Sequence, residues 1–116
     1  MSRLASQRIL VTGASSGIGR AVCLDLLGLG VEVLGVTRRP GALPERVAPI
    51  EADLTDREQI AGIFDGLGEI DALVNCAGVA YLSRVSDGNP ADWEEMWRVN
   101  VMGLALCCQH ALGHLR

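Results

Sequence analysis

The chain has 116 residues, room for one domain with a workable core, and 49% hydrophobic against 21% charged residues is a globular balance. A net charge of -4, with 10 basic side chains (every one an arginine) against 14 acidic ones, argues against a nucleic-acid footprint, which needs a basic patch. The longest uncharged apolar run, "VMGLALCC", falls far short of the ~20 residues of a membrane span, and "MSRLASQRIL" has no signal-peptide core, so a cytoplasmic protein is expected.

"RILVT" (8–12) reads as a buried strand ended by a glycine loop. From Gly17 to Leu29 the apolar spacing of Ile18, Val22, Leu26 and Leu29 predicts a helix, largely buried because only Arg20 and Asp25 are charged, and Gly30 stops it. "VEVLGVT" (31–37) is a second strand, followed by the polar turn "RRPGALPER". "VAPIEAD" (47–53) is a third, with Pro49 suggesting a sheet edge. Thr55 and Glu58 form a capping box for a second helix, whose apolar face is Ile60, Ile63, Phe64 and Leu67. "DALVNCAG" (71–78) is a fourth strand running into a turn, and Asn89-Pro90 opens a last helix that continues to the chain end. Trp93, Met96, Trp97, Val101, Leu104, Cys108 and Leu112 form its apolar stripe, with the two tryptophans expected to anchor packing.

Four strands alternating with three helices predict one α/β domain over residues 1–116, a doubly wound parallel sheet. Cys23, Cys76, Cys107 and Cys108 have neither disulfide-framework nor zinc-site spacing, and are expected to be reduced structural thiols. His110 and His114 stand at i, i+4 spacing with no third ligand, so an exposed pair is expected rather than a metal site.

The loop "VTGASSGIG" (11–19) carries the chemistry. In a parallel sheet, ligands settle beyond the carboxyl ends of strands, where the strand order reverses. Gly13 suits the tight turn, Gly17 lets backbone approach a pyrophosphate, and Gly19 lets helix and strand pack closely. The helix start adds free N–H groups and a partial positive charge. At the end of the second strand, a carboxylate would accept a ribose 2′-hydroxyl and repel a 2′-phosphate. Here Thr37 is followed by Arg38 and Arg39, whose planar donors suit phosphate, so NADP(H) is expected over NAD(H).

These segments together resemble the short-chain dehydrogenase/reductase family, and the resemblance spans essentially the whole chain. "TGASSGIG", with Thr12, Gly13, Ser15, Ser16, Gly17, Ile18 and Gly19, is similar to the family's TGxxxGxG motif. Asp53-Leu54 resembles its adenine-contacting acidic position. "NCAG", containing Asn75, Ala77 and Gly78, resembles its NNAG motif, and "RVNV" resembles the segment bearing its structural and catalytic asparagine, here Asn100. The resemblance implies a Rossmann-like fold and hydride transfer between nicotinamide and a carbonyl or alcohol carbon. It also implies contact of these residues with the cofactor and a last helix used in homo-oligomers. Taken alone, Asp53 also fits a helix cap, Asn75 and Gly78 a strand end, and Asn100 a core amide satisfied by neighbours.

The family's acid–base pair is a tyrosine with a lysine four residues later. This chain has no lysine, and its one tyrosine, Tyr81, is followed at that spacing by Val85. Ser83 and Ser86 directly follow the NCAG motif, whereas the family's catalytic serine lies after a fifth strand. Tyr81 is therefore expected to line or pack beside the substrate side of the cleft. The reading is the cofactor-binding N-terminal portion of an oxidoreductase, truncated ahead of its Ser and Tyr-x-x-x-Lys segment, with the edge of the fourth strand left open. The alternative is a non-catalytic NADP(H)-binding or protein-interaction module.

Overall fold

The computed structural model describes residues 3–116. Four parallel strands form one sheet in the order β3-β2-β1-β4, with β1 at Arg8–Thr12, β2 at Glu32–Thr37, β3 at Ala48–Glu51 and β4 at Ala72–Asn75. The register is continuous across the sheet: Leu10 faces Leu34 on one side and Leu73 on the other, and Leu34 faces Ala48. Chain order runs outward from β1 to β3 and then jumps back to place β4 on the far side of β1. The reversal therefore falls between β1 and β4.

Alternation along the strands separates two cores. Ile9, Val11 and Val33 pack with Ala14, Cys23 and Val31 beneath helix α1 (Gly17–Gly28). Leu10, Leu34 and Val36 face the other way, toward Ile63 and Phe64 and the buried Ala111. That second face is covered by α2 (Arg57–Ile63) and by the end of the last helical run. With helices on both faces of a parallel sheet, this is a Rossmann-like doubly wound architecture. Full burial of one leucine such as Leu10 contributes about 1.5–3 kcal/mol.

Several elements differ from expectation. In α1 only Gly19 and Cys23 are buried, because the helix covers the sheet with one face and nothing among the described residues covers the other; Ile18 and Leu24 are exposed. Helix α2 is capped by Asp56, whose carboxylate accepts the N–H groups of Glu58 and Gln59. Thr55 is not the cap: it precedes Asp56 and its hydroxyl turns to Asp53 Oδ1 instead. Strand β3 is shorter than 47–53, and it does lie at the sheet edge. Strand β4 ends at Asn75 because the next two N–H groups turn away to the Thr12 hydroxyl.

The last helical run is not one α-helix. It comprises α3 (Pro90–Trp97), a π-helical stretch (Arg98–Gly103) and α4 (Leu104–Ala111). It also stops before the chain end: Leu115 forms a parallel bridge with Ile70, with Ile70 N–H donating to His114 O at 2.9 Å and Arg116 N–H to Ile70 O at 3.2 Å. The chain end thus covers the entry to β4, while its ladder residues 72–75 pair with β1 alone among the described strands. Trp93 and Trp97 are half-exposed rather than core anchors; Trp93 lies against Gly88 of the preceding turn. His110 and His114 are not a free surface pair either, for His110 stacks on Phe64, His114 lies tilted against the same ring, and His114 Nδ1 lies 2.7 Å from Gly68 O. All four cysteines are free thiols; Cys23 and Cys107 are buried, but Cys108 is exposed rather than a packed structural thiol.

Candidate functional site

The carboxyl ends of β1 and β4 are tied together by one side chain. Thr12 is buried, and its hydroxyl accepts the N–H groups of Cys76 at 3.2 Å and Ala77 at 3.1 Å. The loop after β1 must then pass very close to that junction. Gly13 has φ +62°, and a Cβ there would sit 2.7 Å from the Ala77 backbone. A Cβ on Gly19 would lie only 2.0 Å from Gly13 O, so any side chain there would push α1 off the loop. Gly17, by contrast, opens onto empty space. Its helix starts without a side-chain cap on Ser16 and without an acidic residue in the first turn. Free donors and the positive end of the helix dipole are left facing outward, the arrangement that receives anions.

The cleft beyond the strand ends has a volume of about 140 Å³. Its first wall comes from Gly13, Ser15 and Ser16, and its second from Val36 to Arg39 at the end of β2. Ala52, Asp53 and Leu54 follow β3, and Ala77 to Val79 follow β4. Glu95 and Val99 close it from the last helical run. The buried Thr37 hydroxyl accepts Arg39 N–H at 2.9 Å, which bends the chain as β2 ends. Arg38 and Arg39 are exposed there, and Arg38 makes no ion pair or side-chain hydrogen bond among the described residues. The Asp53 carboxylate is held below its ordinary pKa chiefly by Thr55 N–H at 2.9 Å and the Thr55 hydroxyl at 2.8 Å, with a smaller contribution from the charge of Arg38.

Of the residues singled out from sequence, Gly13, Ser15, Ser16, Thr37, Arg38, Asp53, Leu54, Ala77 and Gly78 line this cleft. Thr12 and Gly19 lie behind it as its support, and Gly17 and Ile18 stand exposed at the start of α1. Asn75 does not reach it; its amide lies 3.5 Å from Cys108 Sγ. Asn100 is exposed rather than a buried amide, and it clasps Val79 from both ends, with Oδ1 accepting Val79 N–H at 2.9 Å and Nδ2 donating to Val79 O at 2.7 Å. This clasp sits in the π-helical stretch, a local distortion frequent at functional sites. Tyr81 lies outside the cleft, its hydroxyl donating to Glu95 and its N–H directed at Met96 Sδ at 3.5 Å.

Sequence reasoning missed Val36, Ala52, Val79, Glu95 and Val99 as lining residues. Three of them adjoin the singled-out strand-end positions and follow from topology once those positions are known. Glu95 and Val99 come from a separate helix one turn apart, and no local motif marks them.

The fold and this strand-end cleft define a doubly wound α/β protein with an anion-receptive glycine loop at its topological switch. Comparison with known proteins gives the family: the sequence profile described as short chain dehydrogenase matches residues 7–116. The chain belongs to the short-chain dehydrogenase/reductase family. It is 33% identical to dehydrogenase/reductase SDR family member 11 from Bos taurus, an alignment covering 100% of this chain and 52% of that protein. With farnesol dehydrogenase from Aedes aegypti it shares 36% identity over 96% of this chain and 52% of that one. Among solved structures, the ligand-free aldohexose dehydrogenase of Thermoplasma acidophilum superposes with a TM-score of 0.91 at 27% identity, over 98% of this chain and 46% of that chain. A Burkholderia cenocepacia short chain dehydrogenase in complex with NADP gives 0.87 at 25% identity, over 97% and 50%. The chain thus spans about half the length of the relatives it matches.

Proposed function

We propose that this chain is the cofactor-binding portion of an NADP(H)-dependent oxidoreductase acting on a carbonyl or alcohol substrate. The observation that carries the reading is the composition of the cleft rim: an uncapped α1 start on one side and, after β2, an arginine with no ion pair among the described residues. The residues present fit the group, since a side chain at Gly13 or Gly19 would destroy the close approach that shapes the loop. Backbone from Gly13 to Gly19 would hold the pyrophosphate, with Ser15 and Ser16 at its rim. Thr37 and Arg38 would receive the 2′-phosphate end, and Asp53 and Leu54 the adenine. Ala77 and Gly78 would form the floor beyond β4, with Asn75 behind it on Cys108. The similar NADP-bound structure from Burkholderia cenocepacia supports that choice. When bound, the cofactor supplies or accepts the hydride.

Asn100 acts in this reading as a positioning residue, holding Val79 and hence the floor against the last helix. The proton step is not assigned to Tyr81. Its phenol is pushed above its ordinary pKa by donation to Glu95, away from the neutral range a general acid or base needs. The test is titration of the chain with NADPH and with NADH, followed by fluorescence and thermal shift. NADPH is expected to bind more tightly and raise the melting temperature more. Equal response to both, or none to either, would overturn the assignment.

A second reading has its own observation. Trp97, Val101, Leu104 and Leu112 are all exposed along the last helical run, an apolar stripe suited to pairing with another copy. Sedimentation of the chain and of a Leu104→Glu variant tests it: self-association that the charge abolishes supports the stripe as an interface.

A further inference from the structure

The cleft holds two carboxylates, Asp53 and Glu95, beside the guanidinium of Arg38, yet no ion pair forms there among the described residues. Each carboxylate is instead engaged by a neutral donor. Asp53 Oδ1 accepts two hydrogen bonds from Thr55, and Glu95 accepts the Tyr81 hydroxyl. Tyr81 is well placed for this because its loop is fastened to the last helical run at neighbouring points. Val79 is clasped by Asn100, and Tyr81 N–H is directed at Met96 Sδ. The phenol also lies within electrostatic reach of Arg38 and of Asp92.

We propose that Tyr81 is a positioning residue for cofactor selection: its hydroxyl holds the Glu95 carboxylate so that Arg38 stays free for a 2′-phosphate. The inference rests on the NADP(H) reading above and adds a determinant from a separate part of the chain. An unheld Glu95 would compete directly with an incoming phosphate for Arg38. A carboxylate held by a neutral donor satisfies its own hydrogen bonding without consuming the cation. Glu95 still carries negative charge, so its removal should favour phosphate further.

The test uses two small ligands that differ in the 2′-phosphate, 2′,5′-ADP and 5′-AMP, titrated calorimetrically into the chain. Wild type is expected to prefer 2′,5′-ADP. In Tyr81→Phe that preference should fall by about two- to fivefold, the range of an exposed ion pair, through weaker 2′,5′-ADP binding with 5′-AMP unchanged. Glu95→Gln should raise the preference, and adding Tyr81→Phe to it should change nothing more, since the two act through one contact. Equal weakening of both ligands by Tyr81→Phe would show a merely structural role and overturn the inference alone. So would the same loss of preference with Glu95 already replaced. If wild type itself does not distinguish the two ligands, or binds neither, the NADP(H) reading falls and this inference with it.

Discussion

Strands β1 and β2 and the last helical run build opposite walls of one cleft with different materials. Leu10, Val11, Val33 and Val36 are buried to within 1% of complete, because each strand has neighbours on both edges and cover on both faces. No residue of β4 or α3 is fully buried. The first wall is therefore held by apolar packing. The second is placed by particular polar contacts: the Thr12 hydroxyl on Cys76 and Ala77, and the Asn100 clasp on Val79. Packing resists displacement in every direction, whereas a clasp fixes one spot. The arginine side of the cleft should thus be rigid and the Val79 side adjustable, a sensible division if one wall receives a constant cofactor.

The contrast makes its largest claim on core truncation. Leu10→Ala should cost about 2–5 kcal/mol, because it opens a cavity between two layers that cannot collapse. Trp97→Ala removes far more atoms, yet should cost less than Leu10→Ala, since Trp97 is 55% exposed. Urea unfolding of both variants decides it, and comparable losses would mean that the last helical run is packed as tightly as the sheet.

Breaking the clasp comes next. Asn100→Ala deletes both hydrogen bonds to Val79 and should cost about 1 kcal/mol, because water can reach and satisfy the freed groups. Its sharper signature is local: faster hydrogen exchange at the Val79 amide with little change at Val11 or Val33. Acceleration spread evenly through β1 and β2 would show that the two walls are one cooperative unit.

The same division governs what the sequence made legible. The sheet and its glycine loop could be read because buried parallel strands are continuous apolar runs, and because Gly13 and Gly19 sit where only glycine fits. Thr37 and Arg38 followed from the end of the second strand in the same way, Asp53 only from the family resemblance, and all three line the cleft. The half-exposed wall was harder. Its apolar stripe suggested one continuous helix anchored by its tryptophans, but Trp93 and Trp97 find no core, and the π-helical stretch has no periodic signature in the residues. Capping misled for a related reason: Thr55 and Asp56 are both good caps, and in the fold Asp56 receives the helix N–H groups while Thr55 turns to Asp53. Glu95 was invisible because its partner Tyr81 is brought to it by the turn after β4.

The smallest effect lies in two carboxylates, Asp53 at the cleft and Asp71 at the opposite, amino-terminal end of β4. Asp53 is held below its ordinary pKa mainly by the neutral Thr55 donors, and Asp71 mainly by the Arg116 guanidinium, with help from Arg8 N–H. For both, the folded pKa lies below the unfolded value. Their stabilisation is complete above the unfolded pKa of about 4 and is lost as pH falls through the folded one. They should part company in salt. Arg116 reaches Asp71 through exposed contacts at 2.7 and 3.1 Å, so raising ionic strength should return the Asp71 titration toward its ordinary range. Asp53, held by uncharged donors, should move much less, apart from the minor contribution of Arg38. Carboxyl NMR titrations at low and at molar salt test this, and a shift at Asp53 as large as at Asp71 would show that Arg38, rather than Thr55, governs that side of the cleft.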